Sequence, residues 1–275
     1  MSGAGVKGPL INAGVAAYLL DVSQPDLKGE MVALGLTNEQ ATLDLEIDPS
    51  DIGRGPFLIE YINGSELNGS APAIESLRTV VTDQQLTSGT AIYATPLSTF
   101  ALGLAQQMAD KPAVHNTVLA ALIGNQDGSV SDAEFFAALD VARLTVRLAF
   151  GLGVLDSETD LFTTSPVLAS SQNVVQTIAF RAANEVFASI VSELNQELAS
   201  DGLFVSGTTV LSELAKDFSD GTFDKRKDGL AIATLATIDN LTATLASSPD
   251  ARIIPGTNVT LSLIHISEPT RRYFI

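Results

Sequence analysis

The sequence predicts an α+β multidomain chain, an N-terminal antiparallel β-sandwich followed by an irregular α-helical bundle. Three observations carry that prediction. Up to about Thr82, short apolar runs alternate with turn residues, the texture of a β domain. From Thr95 onward, apolar residues recur at three- and four-residue steps, the period of an amphipathic helix. Between the two textures, residues 63–92 are rich in Gly, Ser, Asn and Thr, the composition of a join.

The strands come first. Ala13-Gly14-Val15-Ala16-Ala17-Tyr18-Leu19-Leu20 is a β-type run behind the turn material Lys7-Gly8-Pro9. Ala41 to Ile47, Ala-Thr-Leu-Asp-Leu-Glu-Ile, alternates apolar and polar residues as a half-buried strand does. Pro56 to Ile62 is a third run, closed by the turn pair Asn63-Gly64. Leu77 to Val81 is a further short strand.

The helices follow. Thr95-Pro96 reads as N-cap and first helical residue, with Leu97, Phe100, Leu104 and Met108 on one face. Pro112 opens a second helix, ending near Gly124. Ser131-Asp132-Ala133-Glu134 is a capping box ahead of Phe135, Leu139, Ala142 and Val146, and Gly151-Leu152-Gly153 ends that helix. A long helix is expected over Val167–Ala199, with Val174, Ile178, Ala182, Val186, Ile190 and Leu194 as its buried stripe and Asp201-Gly202 as its stop. Thr209–Phe218 and Leu230–Ala246 complete the bundle. The expected boundaries are therefore 1–82 for the sandwich, 83–94 for a linker and 95–248 for the helical domain, each closing its own apolar interior. Pro255 to Thr260 regains strand character, so 249–260 reads as the start of a further β module.

Composition narrows the function classes. The 275-residue chain is 45% hydrophobic but only 6% aromatic, with no Trp, so Leu, Val, Ile, Ala and Phe must fill its cores. A formal net charge of −17 repels a phosphate backbone and an anionic membrane surface, so neither nucleic acid nor lipid is an expected partner. Lys225-Arg226-Lys227 sits among Asp220, Asp224 and Asp228 and reads as a solvated loop. The absence of Cys removes disulfides, thiolate metal sites and cysteine nucleophiles. No window reads as a signal peptide or as a membrane-spanning segment.

The last fifteen residues differ from the rest. Leu261 to Arg271 reads LSLIHISEPTR, which, written as codons, resembles the synthetic adapter of transposase-based sequencing libraries. Residues 261–275 are accordingly set aside as adapter in a metagenomic fragment, taking His265, Glu268, Arg271 and Arg272 with them. The natural chain is expected to continue beyond Thr260.

Gly5-Val6-Lys7-Gly8-Pro9-Leu10-Ile11-Asn12-Ala13-Gly14-Val15-Ala16-Ala17-Tyr18 is similar to the opening of carboxypeptidase regulatory-like domains, transthyretin-like β-sandwiches of bacterial surface proteins and lipoproteins. Tyr93 to Phe100, Tyr-Ala-Thr-Pro-Leu-Ser-Thr-Phe, resembles the Thr-Pro-Leu-Thr-Thr-Leu-Ala join that follows such domains. Lys216 to Asp224 resembles the helical-region element Asp-Leu-Ala-Asp-Gly-x-Leu-Asp-Gly, with Lys225 where the pattern has its last Gly. Thr37-Asn38-Glu39-Gln40 stands without Gly where the family has a Thr-Asp-x-x-Gly hairpin. The resemblance implies a non-enzymatic structural or adhesion module, extracellular or in the cell envelope. Its partners would be other modules of the same protein, or an extracellular protein or glycan. A carbohydrate- or calcium-binding module is the alternative reading, and a hydrolase-associated accessory domain a further one.

Candidate chemistry is sparse. In Asn125-Gln126-Asp127-Gly128-Ser129-Val130-Ser131-Asp132-Ala133-Glu134, a calcium loop with Gly128 at its turn puts Asn125, Asp127 and Glu134 on ligand positions. Ile123 then falls on the first ligand position and cannot coordinate, and Gly128 plus the capping box explain the residues structurally. In Asp217–Asp228, Lys216 and Lys227 fall on the first and last ligand positions and repel a cation. Asp156, Glu158 and Asp160 form a third acidic group, read as a solvated loop. His115, the one histidine outside the tail, opens a helix and reads as structural. Asn63 and Asn68 each begin a glycosylation sequon but read as turns. No catalytic, cofactor-binding or metal-ligating residue is assigned, and no cofactor is expected.

Overall fold

The computed structural model of the chain describes residues 2–5, 10–40, 42–66, 69, 71–110, 128–167, 173–238 and 241. It is a mixed α/β arrangement, a four-stranded antiparallel sheet followed by several helices. The helix expected over Pro112–Gly124, His115, the opening of the calcium loop, and everything past Leu241 lie outside the described residues.

The four-stranded sheet has the order β3-β2-β5-β6, with β2 Gly14–Leu20, β3 Lys28–Leu36, β5 Phe57–Ile62 and β6 Ser76–Val81. Strand β5 is buried from Phe57 to Tyr61, so its run Phe-Leu-Ile-Glu-Tyr serves a strand covered on both faces. Small residues let β2 lie beside it: Val15, Ala16 and Ala17 are all buried. A second, three-stranded sheet has the order β4-β1-β7, from β1 Ser2–Gly5, β4 Leu43–Asp44 and β7 Ile92–Ala94. Here β1 runs antiparallel to β4 and parallel to β7. Among the described residues of the stretch read as a strand, 42–47, Leu43–Asp44 keeps strand pairing. At the Asn63-Gly64 turn it is Asn63 that takes the positive φ of 57°, while Gly64 is small because a Cβ there would meet the Ala13 Cβ at 2.8 Å.

The linker expected over 83–94 holds two elements. Helix α1, Asp83–Ser88, is opened by a capping box of Thr82 and Gln85 and closed by Gly89 at φ 69°. Strand β7 follows it. Helix α2, Pro96–Asp110, buries Leu97, Phe100, Leu104 and Met108 as its spacing requires. Helix α3, Asp132–Phe150, carries both reciprocal hydrogen bonds of the Ser131–Glu134 capping box.

Two helices depart from expectation. Helix α4 covers Val174–Ser200, capped by Asn173, rather than starting at Val167. Val174 and Ile178 are 51% and 46% exposed; the buried stripe begins instead with Thr177 and Phe180 and continues through Ala182, Val186, Ile190 and Leu194. By length and a mean hydropathy of 1.2, α4 is also apolar enough to cross a membrane, contrary to the sequence reading, yet 56% of that window is buried inside the fold. Helix α5, Gly207–Asp217, runs into a 3-10 turn at Phe218–Asp220. Residues expected to open a helix at Leu230 instead form a hairpin of β8, Arg226–Lys227, and β9, Leu230–Ala231, ahead of the short α6, Ala233–Ala236. Asp228, at φ 52°, and Gly229, at φ 78°, both take the left-handed backbone of its two-residue turn.

The buried apolar side chains make one cluster, from Leu10 through both sheets and the helices to Leu241. The two textures therefore share an interior instead of closing separate ones. Its helical part is centred on Phe150, whose ring lies 5.3 Å from Phe100, 4.7 Å from Phe187 and 5.7 Å from Phe218.

Candidate functional site

The helices meet the four-stranded sheet at its β6 edge. An edge strand presents unpaired backbone groups that invite another strand. Here side chains take them. The Arg78 N–H donates to the Thr99 hydroxyl at 2.8 Å, the Ser98 hydroxyl donates to the Arg78 carbonyl at 2.9 Å, and the Ser76 N–H donates to the Thr208 hydroxyl at 3.0 Å. Just ahead of β6, Glu75 accepts the backbone N–H groups of Gly207 at 3.2 Å and Thr208 at 3.0 Å, placing a carboxylate at the positive end of α5. Gly207 is required there, since a Cβ would sit 1.8 Å from the Ala73 carbonyl oxygen.

A loop closes over this junction. Between β2 and β3 the chain turns on Asp21, which accepts both the N–H and the hydroxyl of Ser23; those two bonds hold its carboxyl below the usual range. Gln106 of α2 donates to the Gln24 carbonyl at 3.0 Å and the Pro25 carbonyl at 2.8 Å. Arg78 reaches the Asp26 carbonyl with Nη1 at 3.3 Å. The β2–β3 loop, Arg78, α2, the residues before α3 and α5 together wall a cavity of about 660 Å³.

Arg78 is the unusual group in that wall. Its Nε is enclosed and has no hydrogen-bond partner. Burial lowers the guanidinium's pKa from its ordinary value, against the pull of Glu60 and Asp26. Glu60 is its direct cross-strand neighbour. That carboxylate is already engaged by Lys28 at 2.7 Å and by the Ser76 hydroxyl at 2.8 Å. On the α5 wall, Lys216 pairs with Glu213 at 2.8 Å.

The acidic loops read from the sequence make turns. Asp156 accepts the Glu158 N–H and the Thr159 hydroxyl, and Asp160 accepts the N–H groups of Phe162 and Thr163 while pairing with Arg143. Asp217 is fully buried; its Oδ1 accepts the Arg226 N–H at 3.0 Å, and its Oδ2 has no partner. Burial pushes its pKa up to about 6, with the backbone N–H groups of residues 224–226 opposing. Lys225 donates to the Ile238 carbonyl at 2.6 Å and Lys227 to Gln107, so the basic run ties the hairpin down. Among the described residues no three acidic or histidine side chains are grouped as metal ligands.

As an apolar run, Leu77–Val81 predicts a strand and by itself gives Arg78 no role. The signal was present: a lone cation in an apolar strand of a strongly acidic chain. No family model, no curated protein and no solved structure matches this chain.

Proposed function

We propose that the chain is a non-catalytic structural or adhesion module of a bacterial cell-surface or secreted protein, a β-sandwich with an α-helical bundle fastened to its edge. The closure of the β6 edge by Ser98, Thr99, Thr208 and Glu75 is the observation that carries this reading. A spacer or presenting module must transmit position between its ends, and charge-assisted and partly buried hydrogen bonds at a join do that. The two-layer arrangement is supported where Gly35 of β3 faces β4: a Cβ there would lie 3.0 Å from Leu45 and 3.2 Å from Leu43. The partners would be further modules of the same protein, or an extracellular protein or glycan.

Two experiments test the reading. The uninterrupted gene is expected to encode an export signal upstream; a complete reading frame without one contradicts the surface location. In a broad hydrolase screen the chain is expected to show no turnover above buffer, and turnover abolished by His115→Ala would overturn the non-catalytic role.

A further inference from the structure

We propose that the cavity between the β2–β3 loop, α2 and α5 binds a small polar molecule through an oxyanion group, a carboxylate or phosphate monoester, gripped by Arg78. This goes beyond the structural role, since a module can space its neighbours with the cavity empty.

The argument starts from donor accounting. A guanidinium carries five N–H donors in a planar fork. Arg78 spends one, on the Asp26 carbonyl, and its enclosed Nε donates to nothing. Arg78 is half-buried along the cavity wall, and its enclosed Nε, cut off from both water and an acceptor, goes uncompensated. The obvious partner, Glu60 across the ladder, is committed to Lys28 and Ser76. An external oxyanion fits the Nη edge of the fork bidentately, where Nη1 and Nη2 have donors to spare beyond the Asp26 carbonyl.

The surroundings suit a compact polar ligand. Lys216, ion-paired with Glu213, also lines the cavity. Val22, Val130 and Leu211 give apolar wall for a carbon frame, and the exposed Ser212 adds a hydroxyl. A volume of about 660 Å³ lies within the range of roughly 300–1,000 Å³ seen for small-molecule sites.

Isothermal titration calorimetry on the whole chain tests this, with glucose 6-phosphate, glucuronate, inorganic phosphate and glucose as probes. At least one of the three anions is expected to bind with a Kd of about 1 mM or tighter, and glucose at least tenfold more weakly. Preference for glucuronate identifies a carboxylate ligand; preference for glucose 6-phosphate or inorganic phosphate identifies a phosphate. Arg78→Gln is expected to weaken binding at least tenfold. Ser212→Trp, at an exposed helical position on the cavity wall, is expected to do the same with unchanged circular dichroism, and it decides the question if Arg78→Gln does not fold. No binding of any anion, glucose binding as tightly as the anions, or Ser212→Trp binding at wild-type affinity would each overturn the proposal.

Discussion

Replacing Gly207 with Ala separates helix propensity from the geometry of the join. Gly207 is the first residue of α5, and its φ lies outside the left-handed region, so Ala meets no backbone strain. By propensity alone the substitution should stabilise, by up to about 1 kcal/mol. The join predicts the opposite sign. The new Cβ would stand 1.8 Å from the Ala73 carbonyl oxygen and 2.9 Å from its carbon, both backbone atoms, so helix and strand must part by about 1.5 Å to reach ordinary contact. Overpacking of this kind costs about 1–3 kcal/mol. The same displacement stretches the two amide bonds from Gly207 and Thr208 to Glu75, and a hydrogen bond to a charged group contributes about 1.5–3 kcal/mol. We expect a net loss of roughly 2–4 kcal/mol, seen as a Tm lowered by about 5–15 °C for a chain of this size. Thermal and urea unfolding followed by far-ultraviolet circular dichroism measures it. An unchanged or raised Tm would refute the steric argument, and with it the claim that α5 is clamped on the residues leading into β6.

Three further outcomes follow from the packing. Asp217 has a folded pKa raised to about 6 from an ordinary 3.8, so its ionisation opposes folding: stability present below pH 4 declines as pH rises through 6 and then levels. Asp217→Asn keeps an acceptor for the Arg226 N–H and should gain on wild type across that window, by on the order of 2–3 kcal/mol; equal urea midpoints at pH 4 and pH 7 for the pair would contradict this. Phe150→Ala removes a buried ring in contact with Phe100, Phe187, Phe218 and Phe223, and chemical denaturation should show a loss of about 3–5 kcal/mol. Thr99→Val leaves the Arg78 N–H without its acceptor and should cost about 1–3 kcal/mol, with faster amide exchange at Arg78 as its local signature.

Much of the fold is legible because local chemistry and tertiary placement agree. Gly14–Leu20, Phe57–Ile62 and Ser76–Val81 are apolar runs bounded by turns, and all three are strands. The capping box at Ser131 and the face Leu97-Phe100-Leu104-Met108 are complete local signals. Strand β3 escaped because Lys28 to Leu36 contains two glycines and spreads its apolar residues over both faces, with Met31, Leu34 and Leu36 exposed on the sheet edge. Strands β1 and β7 are four and three residues long, and each is stabilised by a partner distant in sequence, which periodicity cannot register. The stripe on α4 was misplaced at Val174 and Ile178 because apolar spacing alone does not say where neighbouring elements begin to cover a helix. The site was the least legible part. Arg78 is conspicuous in the sequence, but its cavity exists only because α5, some 130 residues later, docks beside β6 through Thr208 and Ser76.

The central claim is that sheet and helices form one cooperative body with a shared interior. The sequence offers built-in probes: there is no Trp, and of its four Tyr residues, Tyr18, Tyr61 and Tyr93 lie in β2, β5 and β7, the fourth being Tyr273. Near-ultraviolet tyrosine dichroism thus reports the strands while far-ultraviolet dichroism reports the helices. In a urea titration the two signals are expected to change together, with one midpoint and one slope. Tyrosine and helical signals that melt in separate transitions would contradict it.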